Sequence, residues 1–333
     1  RLSADVAARG ATLYSGESDA QNYWHILMRP SGSINASAVD MAKMVGLLVN
    51  RGRANGRQLL SEASITRMET PTSTPAARAG QKLGYGLNNY TTSHEHWVLH
   101  AHNGGVNGGL TELAYLPEAG MGYAFMINSD NGAAFGEISD LFQGYISRGL
   151  EPPAPVENPG LPADDSLAGY YYPINPRQQV AHFIERIASL QRLWFEDDEL
   201  HRKPLLGGEA RSYIAAGENL YRAKKTGWTA LSRVTDPRAG EVVHVGTMVL
   251  MPVSSVVVFG QWADALLWGA IIVSNLLFLP VWLVRWMRGK IPQWGHIRVR
   301  LWPLLAGISV LALVGLFIAG INDPCDRLGA PTA

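Results

Sequence analysis

The sequence predicts an α+β protein in three parts: an antiparallel sheet with packed helices, a small β-rich segment, and a C-terminal transmembrane helical hairpin. Three observations carry this. Two strand-like runs flank a Pro-Glu-Ala-Gly turn and lead into an amphipathic helix ending near Ile146. Runs rich in Tyr, Val and Gly follow a proline-rich break. Two uncharged apolar stretches then dominate the C-terminal third. Strands followed by packing helices suit a sheet covered on its faces.

Composition narrows the function. The 333 residues carry 28 Lys+Arg against 28 Asp+Glu. That balance lacks the basic footprint of a nucleic-acid binder, so no nucleic-acid partner is expected. Charged residues make up 17%, below the ~25% usual in soluble domains, and the deficit lies at the C-terminal end. Cys325 is the single cysteine, which excludes an internal disulfide and a Cys-based zinc site. With 10 Trp, 12 Tyr and 8 Phe there is ample material for a core. The chain opens at Arg1, without Met or a signal peptide, and stops in NDPCDRLGAPTA. Both ends are expected to be cuts in a longer protein.

The parts divide as 1–150, a linker at 151–165, a β-rich segment at 166–255, and two membrane helices within 265–321. The linker, EPPAPVENPGLPADD, holds five prolines, which fix φ and stiffen the chain. In the first part, Ser37-Ala-Val-Asp40 reads as a helix start, with Asp in the place of the usual Glu/Gln. Met41, Met44, Val45 and Leu48 follow at helical spacing, and Gly52 lies just past the end. Ser61 starts a second short helix with Ile65 and Met68 inward. Thr111–Leu116 and Met121–Asn128 are strands of a hairpin turning at Pro117–Gly120. Phe135, Ile138, Leu141, Phe142, Tyr145 and Ile146 define one face of a final helix, which stops before Gly149. In 166–255 the expected strands are Gln191–Glu196, Glu199–Leu205, Asn219–Ala223 and Val242–Pro252. Asp197-Asp198 is a turn, and a short helix fits Val180–Leu190.

Ala265–Val284 carries no charge over 20 residues, the length that spans a ~30 Å bilayer core. Leu301–Ile321 is also uncharged. The loop between them, 285–300, contains Arg285, Arg288, Lys290, Arg298 and Arg300 and no acid. Short loops rich in Lys and Arg stay in the cytoplasm, so both ends of the hairpin are expected outside. Trp282, Trp286, Trp294 and Trp302 suit the interfaces. Residues 1–255 are then extracytoplasmic, periplasmic or on the outer face, and the lipid bilayer is a partner.

Chemistry concentrates in HEHWVLHAHNGGVNGG, residues 94–109, which holds four of the nine histidines. Three readings are open. In the first, His96, His100 and His102 share a strand face and bind zinc, although no acidic or Cys ligand joins them. In the second, GGVNGG cradles a phosphate, without the Lys-Ser/Thr that a P-loop needs. In the third, a polar strand ends in a Gly-rich turn.

From Arg29 to Asp130 the chain resembles the C-terminal half of the serine beta-lactamase-related family, which includes class C beta-lactamases, D-Ala-D-Ala carboxypeptidases and esterases. RPSGSINASAVDMAKMVGLLVNRGRANGRQLLS resembles its small-residue turn and capped helix. Leu83-Gly-Tyr-Gly-Leu87 resembles its Tyr-Gly-Leu-Gly strand. His102-Asn103-Gly104-Gly105 resembles the third active-site motif, Lys/His-x-Gly, and LTELAYLPEAGMGYAFMINSD the hairpin that follows. The resemblance implies acyl transfer through a covalent serine ester. The catalytic residues it implies here are His102 and Gly105. His102 takes the place of the motif's Lys and binds or polarises the substrate carboxylate or leaving group. The Gly105 N–H is an oxyanion-hole donor, a role typically worth ~2.7–4 kcal/mol. Asn103 and Gly104 contact substrate. His in place of Lys is seen in esterase- and peptidase-like members. His94, His96 and His100 need no catalytic role.

The family's nucleophile sits in Ser-x-x-Lys, paired with Tyr-x-Asn. Neither motif occurs in these 333 residues, and in the family both lie upstream of the matching part. LPADDSLAGYYYPINPR resembles the start of a small lipocalin-like β-barrel that often follows such catalytic domains. The Tyr170–Tyr172 run is expected to pack as core and rim. The reading is a membrane-anchored extracytoplasmic serine hydrolase acting on small-molecule or peptide acyl substrates, cell-wall peptides among them. No cofactor or metal is expected, and this chain alone is expected to be inactive. The alternative is a non-catalytic envelope module that binds cell-wall peptides or a partner protein.

Overall fold

The computed structural model describes residues 8–16, 19–21, 32, 34–154, 157, 159–160, 164–176, 179, 182–291 and 295–322. Arg29–Ser31, parts of the proline-rich linker, Val180, Trp294 and Cys325 lie outside them. The chain forms two compact units, one ending at Val253 and one starting at Ser254.

The first unit begins with a small hairpin, β1 (Leu13–Ser15) and β2 (Asp19–Gln21). Helix α1 (Ala38–Val49) starts where expected: the Ser37 hydroxyl accepts the Asp40 N–H at 3.1 Å and donates to the Asp40 carboxylate at 2.8 Å. This satisfies a free donor of the first turn. Val45 and Leu48 are buried, but Met44 is 40% exposed. One residue back from Val45, it points about 100° away from the buried stripe. Two-residue strands β3 (Arg53–Ala54) and β4 (Arg57–Gln58) lead to α2 (Glu62–Glu69), capped by Ser61, with Ile65 fully buried. A short helix α3 (Pro75–Arg78) follows.

Four strands then form an antiparallel meander: β5 (Tyr90–His94), β6 (Trp97–Val106), β7 (Gly109–Leu116) and β8 (Met121–Ile127). The last hairpin turns at Pro117–Gly120, with Gly120 at φ +61°. Side chains alternate between the two faces. Leu99, Ala101, Ala114, Leu116 and Phe125 pack with Ile146 of α4 (Gly132–Ile146). On the other face Tyr115 packs with Val45, Leu48 and Ile65 of α1 and α2.

Helix α4 departs from its expected face. Leu141 and Tyr145 are 74% and 66% exposed, while Ser139 and Gln143 are buried. The cause is Glu112, a buried carboxylate on β7. It accepts the hydroxyls of Ser139, at 2.7 Å, and of Tyr123, and Gln143 donates to Ser139 at 2.8 Å. A buried charge without donors is costly, so the helix turns its polar pair inward.

Eight strands close an up-and-down barrel: β9 (Gly169–Pro173), β10 (Gln191–Glu196), β11 (Glu199–Pro204), β12 (Arg211–Gly217), β13 (Leu220–Ala223), β14 (Thr229–Asp236), β15 (Gly240–Val245) and β16 (Met248–Val253). Closure comes from β9, which pairs with both β10 and β16. Leu193, Leu200, Tyr213, Tyr221, Leu231 and Leu250 fill the interior. The expected Val242–Pro252 strand is broken at Gly246, φ +59°, and belongs to β15 and β16. Strands β9, β12 and β14 go beyond the four expected. Asp197 and Asp198, at φ 50° and 60°, form the β10–β11 turn, the backbone of a type I′ hairpin. Helix α5 (His182–Ala188) falls inside the expected Val180–Leu190. Tyr171 points inward and donates to the Leu167 carbonyl at 3.0 Å, whereas Tyr172 carries Arg186 over its ring at 4.3 Å.

Two histidines tie this unit's stability to pH. Burial holds both His100 and His244 below the ordinary imidazole value, against the pull of Glu69 and Glu118 on the first and of Asp236 on the second. The unfolded chain therefore takes up protons first. Stability is complete above the unfolded value of about 6.5 and is lost as pH falls below it, until the depressed folded values are reached. The slope is at most ~1.4 kcal/mol per pH unit for each histidine. The expected result is a melting temperature that declines from pH 7 to pH 5, and a flatter decline for His100→Gln/His244→Gln. Equal slopes for the two proteins would refute the assignment.

The second unit is a pair of helices, α6 (Ser255–Met287) and α7 (Gly295–Asn322). Both are long and apolar enough to cross a membrane. They extend past the uncharged stretches, so Arg285, Arg298 and Arg300 lie on helices rather than in the connecting loop. The pair packs where Gly307 meets Ile272: a Cβ on Gly307 would sit 2.7 Å from an Ile272 carbon. Asn275 is buried there, and Arg300 donates to Ser274 at 3.2 Å with its guanidinium 3.8 Å from the Phe278 ring centre. Leu266, Leu277 and Leu313 are exposed.

Candidate active site

The site is set by where β5 begins. Two two-residue turns, at Glu95-His96 and Asn107-Gly108, fix the pairings His94↔Trp97 and Val106↔Gly109. In an antiparallel ladder the residue flanking such a turn exchanges hydrogen bonds with its partner, and alternate residues do so thereafter. Trp97, Leu99 and Ala101 therefore bond to β5, while His100, His102, Gly104 and Val106 bond to β7. Strand β5 starts at Tyr90, opposite Ala101. Past that point the main-chain groups of Asn103 and Gly105 face an edge with no described strand beside it.

Glycine is required at two points next to this edge. Asn103, Gly104 and Gly105 are all exposed. A Cβ on Gly104 would lie 2.9 Å from the Thr111 hydroxyl of β7. Gly108 closes the hairpin at φ +75°, with its would-be Cβ 2.7 Å from the Tyr14 nitrogen. Both the positive φ and the close approach of β1 require glycine there.

His102 stands at the start of the open edge and is half-buried. Its Nδ1 is 2.7 Å from the Asn103 carbonyl and its Nε2 is 2.7 Å from the Tyr85 hydroxyl. A carbonyl only accepts, so Nδ1 carries a proton and, in the neutral ring, Nε2 accepts from the Tyr85 O–H. The Tyr85 ring meets the imidazole edge-on at 6.0 Å, and the Tyr90 ring lies 5.9 Å away. Burial, followed by the charge of Glu112, pushes the Tyr90 phenol up to about 12, which keeps it neutral beside the site.

The four residues expected to act are thus neighbours, but not on one face. Side chains alternate across β6, so His102 projects to the α1/α2 side and Asn103 to the α4 side, opposite Glu112. What the two share is the edge itself. Tyr85 was not among the expected residues. The segment Leu83–Leu87, expected as a strand, is a bend with a single bridge, Tyr85↔Tyr90. The main chain turns there against α2: the Leu87 N–H donates to the Met68 carbonyl at 3.0 Å, and a Cβ on Gly86 would fall 2.1 Å from that oxygen. This bend lets Tyr85 reach past the start of β5 to His102. Its only signal in the sequence was an aromatic residue between two glycines. His96 lies in the β5–β6 turn, so the three-histidine face is not formed. Among the described residues no group of three His, Cys, Asp or Glu could hold a metal.

These residues form an α+β arrangement: an antiparallel sheet with helices on both faces, and a His-x-Gly strand that leaves one edge open. Residues 2–143 match the family model Beta-lactamase, and that segment is a beta-lactamase-related one. All four expected site residues and Tyr85 fall within it. The structure of SurE with D-Leu is 19% identical, covering 66% of this chain and 50% of that one, with a TM-score of 0.35. Another SurE structure is 20% identical over 66% and 48%, with the same TM-score of 0.35. The octameric penicillin-binding protein homologue from Pyrococcus abyssi is 16% identical over 65% and 46%, at 0.25. The chain spans about half the length of these proteins. No curated protein matches it.

Proposed function

We propose that this chain is the C-terminal part of a membrane-anchored, extracytoplasmic serine hydrolase that works through an acyl-enzyme on peptide, ester or lactam substrates. The observation that carries the reading is the open edge of β6 at Asn103–Gly105 beside the His102–Tyr85 pair. An acyl group lying along that edge meets the Gly105 N–H, which no strand among the described residues occupies, and such a donor stabilises a developing oxyanion. His102 and Tyr85 offer a proton-carrying pair next to it, placed to bind a carboxylate or serve a leaving group. The nucleophile and its Tyr-x-Asn partner would come from sequence outside these 333 residues, and this part alone would be inactive.

Anchoring rests on α6 and α7. Their exposed leucines suit lipid better than water. Arg288 and Lys290 lie between the helices, which favours a cytoplasmic turn and outward ends. The test is to label membranes containing the full-length protein with a fluorescent penicillin and a fluorophosphonate in parallel. A covalently labelled band is the expected result, and the probe preference separates lactam-type from esterase-type sites. A folded protein labelled by neither would favour a non-catalytic envelope-binding module.

A further inference from the structure

We infer that the β-barrel is a positioning element for His102, acting through the segment that carries Tyr85. This rests on the reading of His102 as a site residue, and goes beyond it by giving the barrel a role in the site.

The segment Gly80–Leu83 is built into the barrel wall. Thr229, the first residue of β14, grips it with three bonds. Its hydroxyl accepts the Lys82 N–H at 2.9 Å and donates to the Gly80 carbonyl at 3.2 Å, and its carbonyl accepts the Leu83 N–H at 3.2 Å. Gln81 is buried and fully engaged: its amide donates to the carbonyls of Gly246, at 3.1 Å, and Leu83, at 2.7 Å, and its oxygen accepts the Ser232 hydroxyl at 2.8 Å. Leu83 packs against the barrel core. The next residue, Gly84, is tied to Thr91 of β5 at 2.8 Å and 2.9 Å, and Tyr85 follows directly. A second grip lies across the sheet, where the Trp228 indole donates to the His96 carbonyl in the β5–β6 turn.

The barrel therefore holds two points that flank His102: the bend that delivers the Tyr85 hydroxyl, and the turn at the far end of β6. A buried Gln with both amide groups satisfied is costly to mispair, which makes the grip specific in register. The Tyr85 hydroxyl needs that register, because it must arrive at His102 Nε2 from a bend without a strand of its own.

The test reads the imidazole directly, so it can fail while the hydrolase reading stands, and the reverse. Diethyl pyrocarbonate modifies unprotonated imidazole nitrogen, and peptide mass spectrometry of the full chain in detergent follows each histidine separately. His102 should react slowly, because Nε2 is engaged by Tyr85. Tyr85→Phe should speed its modification about fivefold, the change expected from losing one hydrogen bond of about 1 kcal/mol. Thr229→Val should do the same from the barrel side, and Thr229→Ser, which keeps the hydroxyl, should restore the slow rate. Ser232→Ala, which removes the donor to Gln81, serves as a second barrel variant should Thr229→Val not fold. Leu200→Ala, in the barrel core away from the grip, should lower stability and leave His102 unmoved. The proposal fails if Tyr85→Phe has no effect, if the barrel variants leave His102 at the wild-type rate, or if Leu200→Ala speeds it as much as they do.

Discussion

Replacing His102 with alanine in the full-length protein is expected to slow acylation by about 10²–10⁴-fold, the range lost when a positioned proton-transfer group is removed. The folded state should barely respond, because His102 is half-buried and its partners are a hydroxyl and a carbonyl at an exposed edge. His102→Lys keeps a donor but cannot accept from Tyr85, so it should recover only part of the rate. A companion variant separates the edge from the side chain. The Gly105 N–H lies outside the β6–β7 ladder, so Gly105→Pro deletes the proposed oxyanion donor without breaking a ladder bond. It should cost about 10²–10³-fold in acylation. Gly104→Pro removes a ladder N–H instead and should unfold the hairpin. Probe labelling that is unchanged in His102→Ala would remove that residue from the mechanism. Labelling that is unchanged in Gly105→Pro would remove the open edge.

The parts legible in the sequence were those with local causes. Ser37 and Ser61 announce helix starts because a cap is a contact three residues long. Pro117–Gly120 announces a turn because its backbone needs those residues. The barrel strands were half visible, since their outer faces are polar and several inner positions are not simply apolar; Arg202 and Ser232 are both buried. The inward face of α4 was misjudged because apolar periodicity cannot register a carboxylate on another strand that demands hydroxyl donors. His102, Asn103, Gly104 and Gly105 were proposed from a motif resemblance, which places them next to one another along the chain. Their arrangement in space does not follow from the motif, since it depends on β5 starting at Tyr90, a fact of register rather than of composition. Tyr85 was hidden for the same reason. It meets His102 across 17 positions of chain, through a bend that turns against the carbonyl of Met68.

The largest stability effect is expected at Glu69, on the opposite face of the sheet from Glu112. This buried carboxylate takes Arg51 Nη1 on both oxygens at 2.6 Å and the Tyr115 hydroxyl at 3.0 Å. Tyr115 has no exposed surface, and burial, with the Glu69 charge adding to it, drives its phenol well above the ordinary value. The Asn89 amide donates to the same hydroxyl at 2.9 Å. Glu69→Ala leaves the buried Tyr115 hydroxyl without its acceptor and takes the carboxylate from Arg51, which is partly exposed and keeps its bond to Thr66 at 2.8 Å. The stranded phenol sets a loss of about 1–3 kcal/mol. Glu69→Gln keeps an acceptor for Tyr115 and should lose less. Denaturant unfolding of the two variants checks the order, and a loss under about 1 kcal/mol for Glu69→Ala would refute it. The consequence reaches the site. Asn89 is the residue immediately before β5, and its carbonyl accepts the Gly86 N–H at 2.7 Å, closing the bend that presents Tyr85. A chain released at Asn89 can start β5 elsewhere, and the length of open edge beside His102 changes with it. In Glu69→Ala, therefore, His102 should lose its protection from modification before the sheet unfolds.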